Sequence, residues 1–116
     1  MKKYIIVTGG AGFVGSNLIE LLLKKTKKKI ISIDNYSSGF TENHIKNSRI
    51  KYLKAETANL DKILSKYKNH IDSLFHFAEF SRIYQSFKNF NKCFESNSKG
   101  TQIVFKFCLD NKIKLI

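Results

Sequence analysis

Thr8-Gly9-Gly10-Ala11-Gly12-Phe13-Val14-Gly15 stands between the run Tyr4-Ile5-Ile6-Val7 and the set Leu18, Ile19, Leu21, Leu22 and Leu23. The first run is β-branched and aromatic without a break, as a parallel strand buried on both faces requires. The leucine-rich set has helical spacing and ends in Lys24-Lys25-Thr26-Lys27-Lys28-Lys29, where cations favour a helix C-terminus through its dipole. Strand, glycine turn and helix in this order form a diphosphate-binding corner. Gly9 permits the tight turn off the strand, Gly12 lets the backbone approach a pyrophosphate, and Gly15 lets the helix pack closely on the sheet. Free amides at the helix start, aided by the dipole, then hold the anion. No Gly-Lys-Ser/Thr closes the motif, which disfavours a P-loop. The plainer alternative is an ordinary glycine turn.

An acid in the next strand argues for the first reading. Ile30-Ile31-Ser32-Ile33 reads as a second strand ending at Asp34, about twenty residues after the last glycine of the motif. A carboxylate there can accept hydrogen bonds from both hydroxyls of an adenosine ribose. It would repel a 2′-phosphate, and Asn35 offers no guanidinium to compensate. The expected cofactor is therefore NAD rather than NADP; the alternative is a strand-end turn aspartate.

Further along, Asn35-Tyr36-Ser37-Ser38-Gly39 has turn chemistry. Ile50-Lys51-Tyr52-Leu53 suggests a third, weaker strand, and Leu60, Ile63, Leu64 and Tyr67 have helical spacing. Ser73-Leu74-Phe75-His76-Phe77 is a fourth strand. A long helix is expected from about Asn91 to Asn111, and Lys114-Leu115-Ile116 opens a fifth strand. Alternation of strands and helices implies right-handed crossovers. The expected fold is α/β: a Rossmann-type doubly wound parallel sheet of order 3-2-1-4-5, with the ligand crevice beside strand 1. The chain stops inside strand 5, so residues 1–116 are expected to be an incomplete NAD-binding domain cut from a longer enzyme.

Composition narrows the classes. The 116 residues carry 21 Lys+Arg against 9 Asp+Glu, a net charge of +12, and 42% are hydrophobic. That is too apolar for a disordered chain. No apolar run approaches the roughly 20 residues of a membrane span, and the apolar stretch before Thr8 is shorter than the roughly 7–15 residues of a signal peptide core. The expected location is the cytoplasm, with no membrane partner. Only Arg49 and Arg82 are arginine, and proline is absent. This lysine-rich balance is what an A/T-biased coding sequence would produce, and no nucleic-acid partner is expected. Cys93 and Cys108 are too few for a disulfide scaffold; on one helix they would stand about 22 Å apart. His44, His70 and His76 lack metal-ligand spacing, so no metal is expected.

Thr-Gly-x-x-Gly-x-x-Gly followed by Asp34-Asn35-Tyr36-Ser37-Ser38-Gly39 resembles the extended short-chain dehydrogenase/reductase family. More narrowly, it resembles the NAD-dependent nucleotide-sugar epimerases and dehydratases of the UDP-glucose 4-epimerase kind. His76-Phe77-Ala78-Glu79-Phe80-Ser81-Arg82-Ile83-Tyr84-Gln85-Ser86 and Asn97-Ser98-Lys99-Gly100-Thr101 are similar to two further family segments. The resemblance implies that Gly9, Gly12, Phe13 and Val14 line the pyrophosphate. It places Asp34 and Asn35 at the ribose with Ser37, Ser38 and Gly39 nearby, and Glu56 by the adenine where the family has Asp. Phe77, Ala78 and Glu79 would pass the cofactor, Glu79 standing where the family has alanine. Asn97 would brace that region, and Ser81 and Arg82 would approach the substrate. His76 is expected to pack beside the site.

The implied chemistry is transient oxidation of a UDP-sugar at C4 by an epimerase that can form a homodimer. Dehydration, uronate decarboxylation and a non-catalytic dinucleotide-binding module are the alternatives. The family's proton-handling Tyr-x-x-x-Lys is expected beyond residue 116, so this chain alone is expected to be inactive. Tyr84-Gln85-Ser86-Phe87-Lys88 matches its letters but precedes the helix on which the pair belongs.

Overall fold

Each apolar run becomes a strand of one parallel sheet. The structure, a computed structural model, describes residues 2–36, 39–77 and 99–116. Its strands are β1 (Tyr4–Thr8), β2 (Lys29–Asp34), β3 (Ile50–Lys54), β4 (Ile71–His76) and β5 (Lys114–Leu115), in the order β3-β2-β1-β4-β5. Every neighbouring pair is parallel. The doubly wound order read from the sequence is therefore the observed one. Register aligns Thr8 with Ile33 on one side and with His76 on the other. The C-terminal ends of the three central strands thus open on one edge, at the point where the strand order reverses.

Burial explains why these residues form strands. Successive side chains of β1 alternate between two cores, as strand geometry demands. Ile6 joins Ile31, Leu60, Leu64, Leu74, Val104 and Phe107; Ile5 and Val7 join Ile19, Leu22 and Ile30 on the other face. Each fully buried Ile or Leu contributes about 1.5–3 kcal/mol of transfer free energy. β3 is only half-buried, with Lys51 and Lys54 exposed, and charged side chains of this kind protect a sheet edge from further pairing.

α1 (Phe13–Lys25) buries Gly15, Ile19 and Leu22 along one face and ends in Lys24 and Lys25, with Thr26 N–H donating to Leu22 O. Arg49, just before β3, reaches under this helix end. Its guanidinium donates to the carbonyls of Thr26 (2.7 Å) and Lys28 (3.2 Å), and to that of Leu23.

The helical spacing of Leu60 to Tyr67 predicts more helix than forms. α2 (Leu60–Ile63) is one turn long, and the chain then tightens into three-residue bonds, Tyr67 N–H to Leu64 O and His70 N–H to Tyr67 O. Leu60 and Leu64 are nonetheless both fully buried. The apolar spacing marks the buried face correctly, while the short span to β4 sets the helix length. β4 starts at Ile71, two residues before the run read from the sequence. α3 (Thr101–Asp110) buries Val104, Phe107 and Cys108; the helix expected from Asn91, and Cys93, begin outside the described residues. Among the described residues, no helix is long and apolar enough to cross a membrane.

Candidate functional site

The chain leaves β1 through Gly9, whose φ of +74° lies in the left-handed region that glycine tolerates without cost. Gly9 N–H donates to Ile33 O at 2.7 Å, tying the corner to β2, and Gly12 N–H donates back to Gly9 O at 3.1 Å. Gly12 is extended, and α1 begins with neither a side-chain cap nor an acid in its first turn. The first amides of a helix have no partner inside it. Here Phe13 and Val14 supply them, and both side chains are exposed. The result is an uncapped positive helix end open to solvent, suited to an anion.

Gly15 packs on the turn rather than on the sheet. A Cβ built there would lie 2.2 Å from Gly9 O and 2.9 Å from Gly10 Cα. Gly10, to which the sequence motif assigns no task, is equally confined: its Cβ would lie 1.9 Å from Ser32 Oγ. The corner is therefore packed against its own backbone at Gly15 and against the Ser32 and Ile19 side chains at Gly10.

Asp34 is buried at the end of β2 and does more than face the crevice. Its Oδ2 accepts the Ala11 N–H at 3.0 Å and its Oδ1 accepts the Tyr36 N–H at 2.7 Å. Each carboxylate oxygen keeps a further lone pair, so the acid can brace the glycine corner and still receive ribose hydroxyls. Beyond it, Asn35 Nδ2 donates to Glu56 Oε2 at 3.0 Å. These two residues line an open cleft of about 700 Å³ together with Ala55, Asn59, Lys62 and Ile63. The structure thus joins Asp34, Asn35 and Glu56 at one end of the crevice.

At β4, His76 is engaged through both ring nitrogens, Nδ1 with Thr8 Oγ1 at 2.7 Å and Nε2 with Thr101 Oγ1 at 3.3 Å. It bridges β1, β4 and α3 as a packed strand residue. Phe77 N–H donates to Thr8 O (3.0 Å) and Oγ1 (3.1 Å), and its ring is part-exposed at the strand exit. Ser37, Ser38, Ala78, Glu79, Ser81, Arg82 and Asn97 lie outside the described residues.

The loop after β2 holds what the sequence does not announce. Tyr36 is left-handed, with φ of +63°. Its hydroxyl meets His44 Nε2 at 2.6 Å, and the His44 ring stacks on Tyr52 at 3.8 Å. Burial, the negative charge of Asp34 and the neighbouring Tyr52 raise the Tyr36 phenol above its usual value. Asn43 Nδ2 donates to Ala11 O at 2.8 Å. No periodicity marks Asn43; only its place in a polar turn hints at a role.

Gathered at the edge where the strand order reverses, these groups define a dinucleotide-binding Rossmann unit. Comparison with known proteins narrows this further: the chain matches the NAD dependent epimerase/dehydratase family over residues 5–116 and belongs to it. The cofactor of that family is NAD. The chain is 35% identical to dTDP-D-glucose 4,6-dehydratase of Dictyostelium discoideum, over 95% of this chain and 27% of that protein. Among solved structures it is similar to epimerase Mth375 of Methanothermobacter thermautotrophicus, with TM-score 0.86 and 29% identity over 97% of this chain and 33% of that one. It is also similar to UDP-N-acetylglucosamine 4-epimerase of Methanobrevibacter ruminantium, with TM-score 0.83 and 31% identity over 99% of this chain and 37% of that one. Nucleotide-sugar epimerases, dehydratases and decarboxylases all occur among its relatives. The chain spans roughly a third of the length of the proteins just described.

Proposed function

We propose that these 116 residues are the NAD-binding part of a nucleotide-sugar epimerase acting by transient oxidation of a UDP-sugar at C4. The observation that carries the reading is the uncapped start of α1 facing a glycine corner with Asp34 buried beside it. The residues fit the cofactor. Phe13 and Val14 offer amides to a diphosphate, Asp34 offers lone pairs to the adenosine ribose, and Asn35 and Glu56 border the cleft beyond it. When bound, NAD supplies a reversible hydride acceptor.

Chemistry from this chain is confined to binding and orientation. The amides of α1 neutralise diphosphate charge without a counter-ion. Asp34, an anion in a buried position, disfavours a 2′-phosphate and so selects NAD over NADP. Gly9, Gly12 and Gly39 keep the backbone close, and Phe77 stands at the exit of β4. By the family resemblance, Ser37 and Ser38 adjoin the ribose, Ala78 and Glu79 pass the cofactor, Asn97 braces them, and Ser81 and Arg82 approach the sugar nucleotide. By the family resemblance, proton transfer belongs to a Tyr-x-x-x-Lys pair on a later helix than Tyr84 to Lys88, so this chain by itself is expected not to turn over, and to bind NAD weakly at most. The whole enzyme is cytoplasmic, forms a homodimer and takes a UDP-sugar; the lysines are solvated charge rather than a nucleic-acid surface.

A 4,6-dehydratase is the second reading, favoured by the 35% identity to the Dictyostelium enzyme; it uses the same cofactor site. The test is titration of NAD and NADP against the chain and its Asp34→Ala variant. NAD is expected to bind tighter than NADP, and the variant to lose most of that preference. Equal affinities in the parent chain, or a preference that survives the substitution, refute the reading.

A further inference from the structure

We propose that the turn spanning residues 39–43 clamps the glycine corner, with Asn43 as the positioning residue that orients the cofactor-binding amides. The cofactor half of this proposal rests on the NAD reading above; the clamp itself does not.

Glycines at 9, 10 and 12 give the corner more backbone freedom than residues with a Cβ would. An anion cradle built from free amides gains only if those amides already point at the ligand, because ordering them on binding costs affinity. The corner therefore needs an outside constraint, and the structure supplies it at Ala11, the one non-glycine residue between Gly9 and Gly12. Ala11 N–H donates to Asp34 Oδ2 at 3.0 Å. Ala11 O accepts two donors from the far side of the loop, Asn43 Nδ2 at 2.8 Å and Phe40 N–H at 3.1 Å. A carbonyl only accepts, so the nitrogen of the Asn43 carboxamide must face it.

This carbonyl belongs to the peptide that joins Ala11 to Gly12, and the next amide along the chain is that of Phe13. Holding the Ala11–Gly12 peptide plane thus sets the direction from which α1 starts. Gly39 brings the turn this close: a Cβ there would lie 2.9 Å from Ala11 C and from Asp34 Oδ2.

The clamp is itself anchored. Within the turn, Asn43 N–H donates to Phe40 O at 3.1 Å and His44 N–H to Thr41 O at 3.0 Å. His44 is then gripped by the Tyr36 hydroxyl and by stacking on Tyr52, and Tyr52 Oη accepts the Ile45 N–H at 2.8 Å. Asn43 is therefore mounted on the β3 edge and reaches across to the β1 corner.

The experiment compares the chain with Asn43→Leu, which keeps the branched shape and removes the donor, and with Asn43→Ala. Amide hydrogen exchange reads the clamp without any ligand. Protection of the Ala11 N–H is expected to fall about fivefold or more in both variants, the effect of one lost hydrogen bond, while Ile6 in β1 keeps its protection. Titrations read the cofactor half. ADP-ribose and NAD are expected to weaken by about fivefold, whereas adenosine, which has no diphosphate, binds as before. Unchanged Ala11 protection overturns the clamp. An equal loss for adenosine and ADP-ribose overturns the positioning role, because a general loss of structure would weaken both. A parent chain that binds no NAD overturns the nucleotide reading and with it the cofactor half, whatever the exchange data show.

Discussion

The motif gives Gly12 and Gly15 different tasks, and the structure separates what alanine would do at each. At position 15, the added methyl would stand 2.2 Å from Gly9 O and 2.9 Å from both Gly9 C and Gly10 Cα. All three are backbone atoms, and Gly9 is fixed by its bond to Ile33 O and by its left-handed φ. Relief requires α1 and the corner to move apart by about 1 Å, and overpacking of this kind costs about 1–3 kcal/mol. Alanine recovers about 1 kcal/mol of helix propensity over glycine. With a backbone contact as short as 2.2 Å the overpacking cost lies toward the top of its range, so a net loss of up to about 2 kcal/mol is expected for Gly15→Ala, together with the loss of NAD binding. At position 12 the methyl would meet only Gly9 O at 3.4 Å, an ordinary contact, and φ is −81°. Gly12→Ala should stay within about 0.5 kcal/mol of the parent, yet weaken NAD because its methyl enters the diphosphate approach. Urea unfolding followed by circular dichroism, with parallel NAD titrations, measures both. Equal destabilisation by the two substitutions, or a Gly15→Ala chain that binds NAD like the parent, refutes the geometry.

Two further outcomes follow from tertiary contacts. Arg49→Ala strips three carbonyl hydrogen bonds from the end of α1 and should lower unfolding stability by about 2 kcal/mol. Arg49→Lys should recover less than half of that loss, since an ammonium cannot fork across three carbonyls; full recovery in a urea melt would falsify the clamped helix end. Burial pushes the Cys108 thiol from 9.0 up to about 11. Between those values the folded chain keeps a proton that the unfolded chain releases, so the contribution of this thiol to stability is present below pH 9 and fades as pH rises toward 11. Stability should fall more steeply with pH over that window in the parent than in Cys108→Ala. At about pH 8, the Cys108 peptide should resist alkylation until the chain unfolds, as mass spectrometry can show.

The strands and the glycine corner were legible in the sequence because both depend on local rules, and the strand order followed from them through the right-handed crossover of βαβ units. Tyr4-Ile5-Ile6-Val7 and Ile30-Ile31-Ser32-Ile33 can be satisfied only by burial on two faces, and Gly9 stands where the chain must turn left-handed. Asp34 was visible at the end of its strand, a fixed distance from the glycines. Local rules failed at Leu60 to Tyr67, where spacing marked the buried face but the span to β4 shortened the helix.

What the sequence determined by itself was periodicity, turn chemistry and the placing of one acid: properties that neighbours along the chain impose on one another. Only the folded chain decided that Asp34 holds Ala11, that Asn43 reaches the same residue from the loop, and that Arg49 closes α1. Those partners lie 23 to 32 residues apart. The reason is physical: a hydrogen bond between residues distant in sequence forms only after the parallel strands have paired, and neither residue carries a local pattern that names its partner.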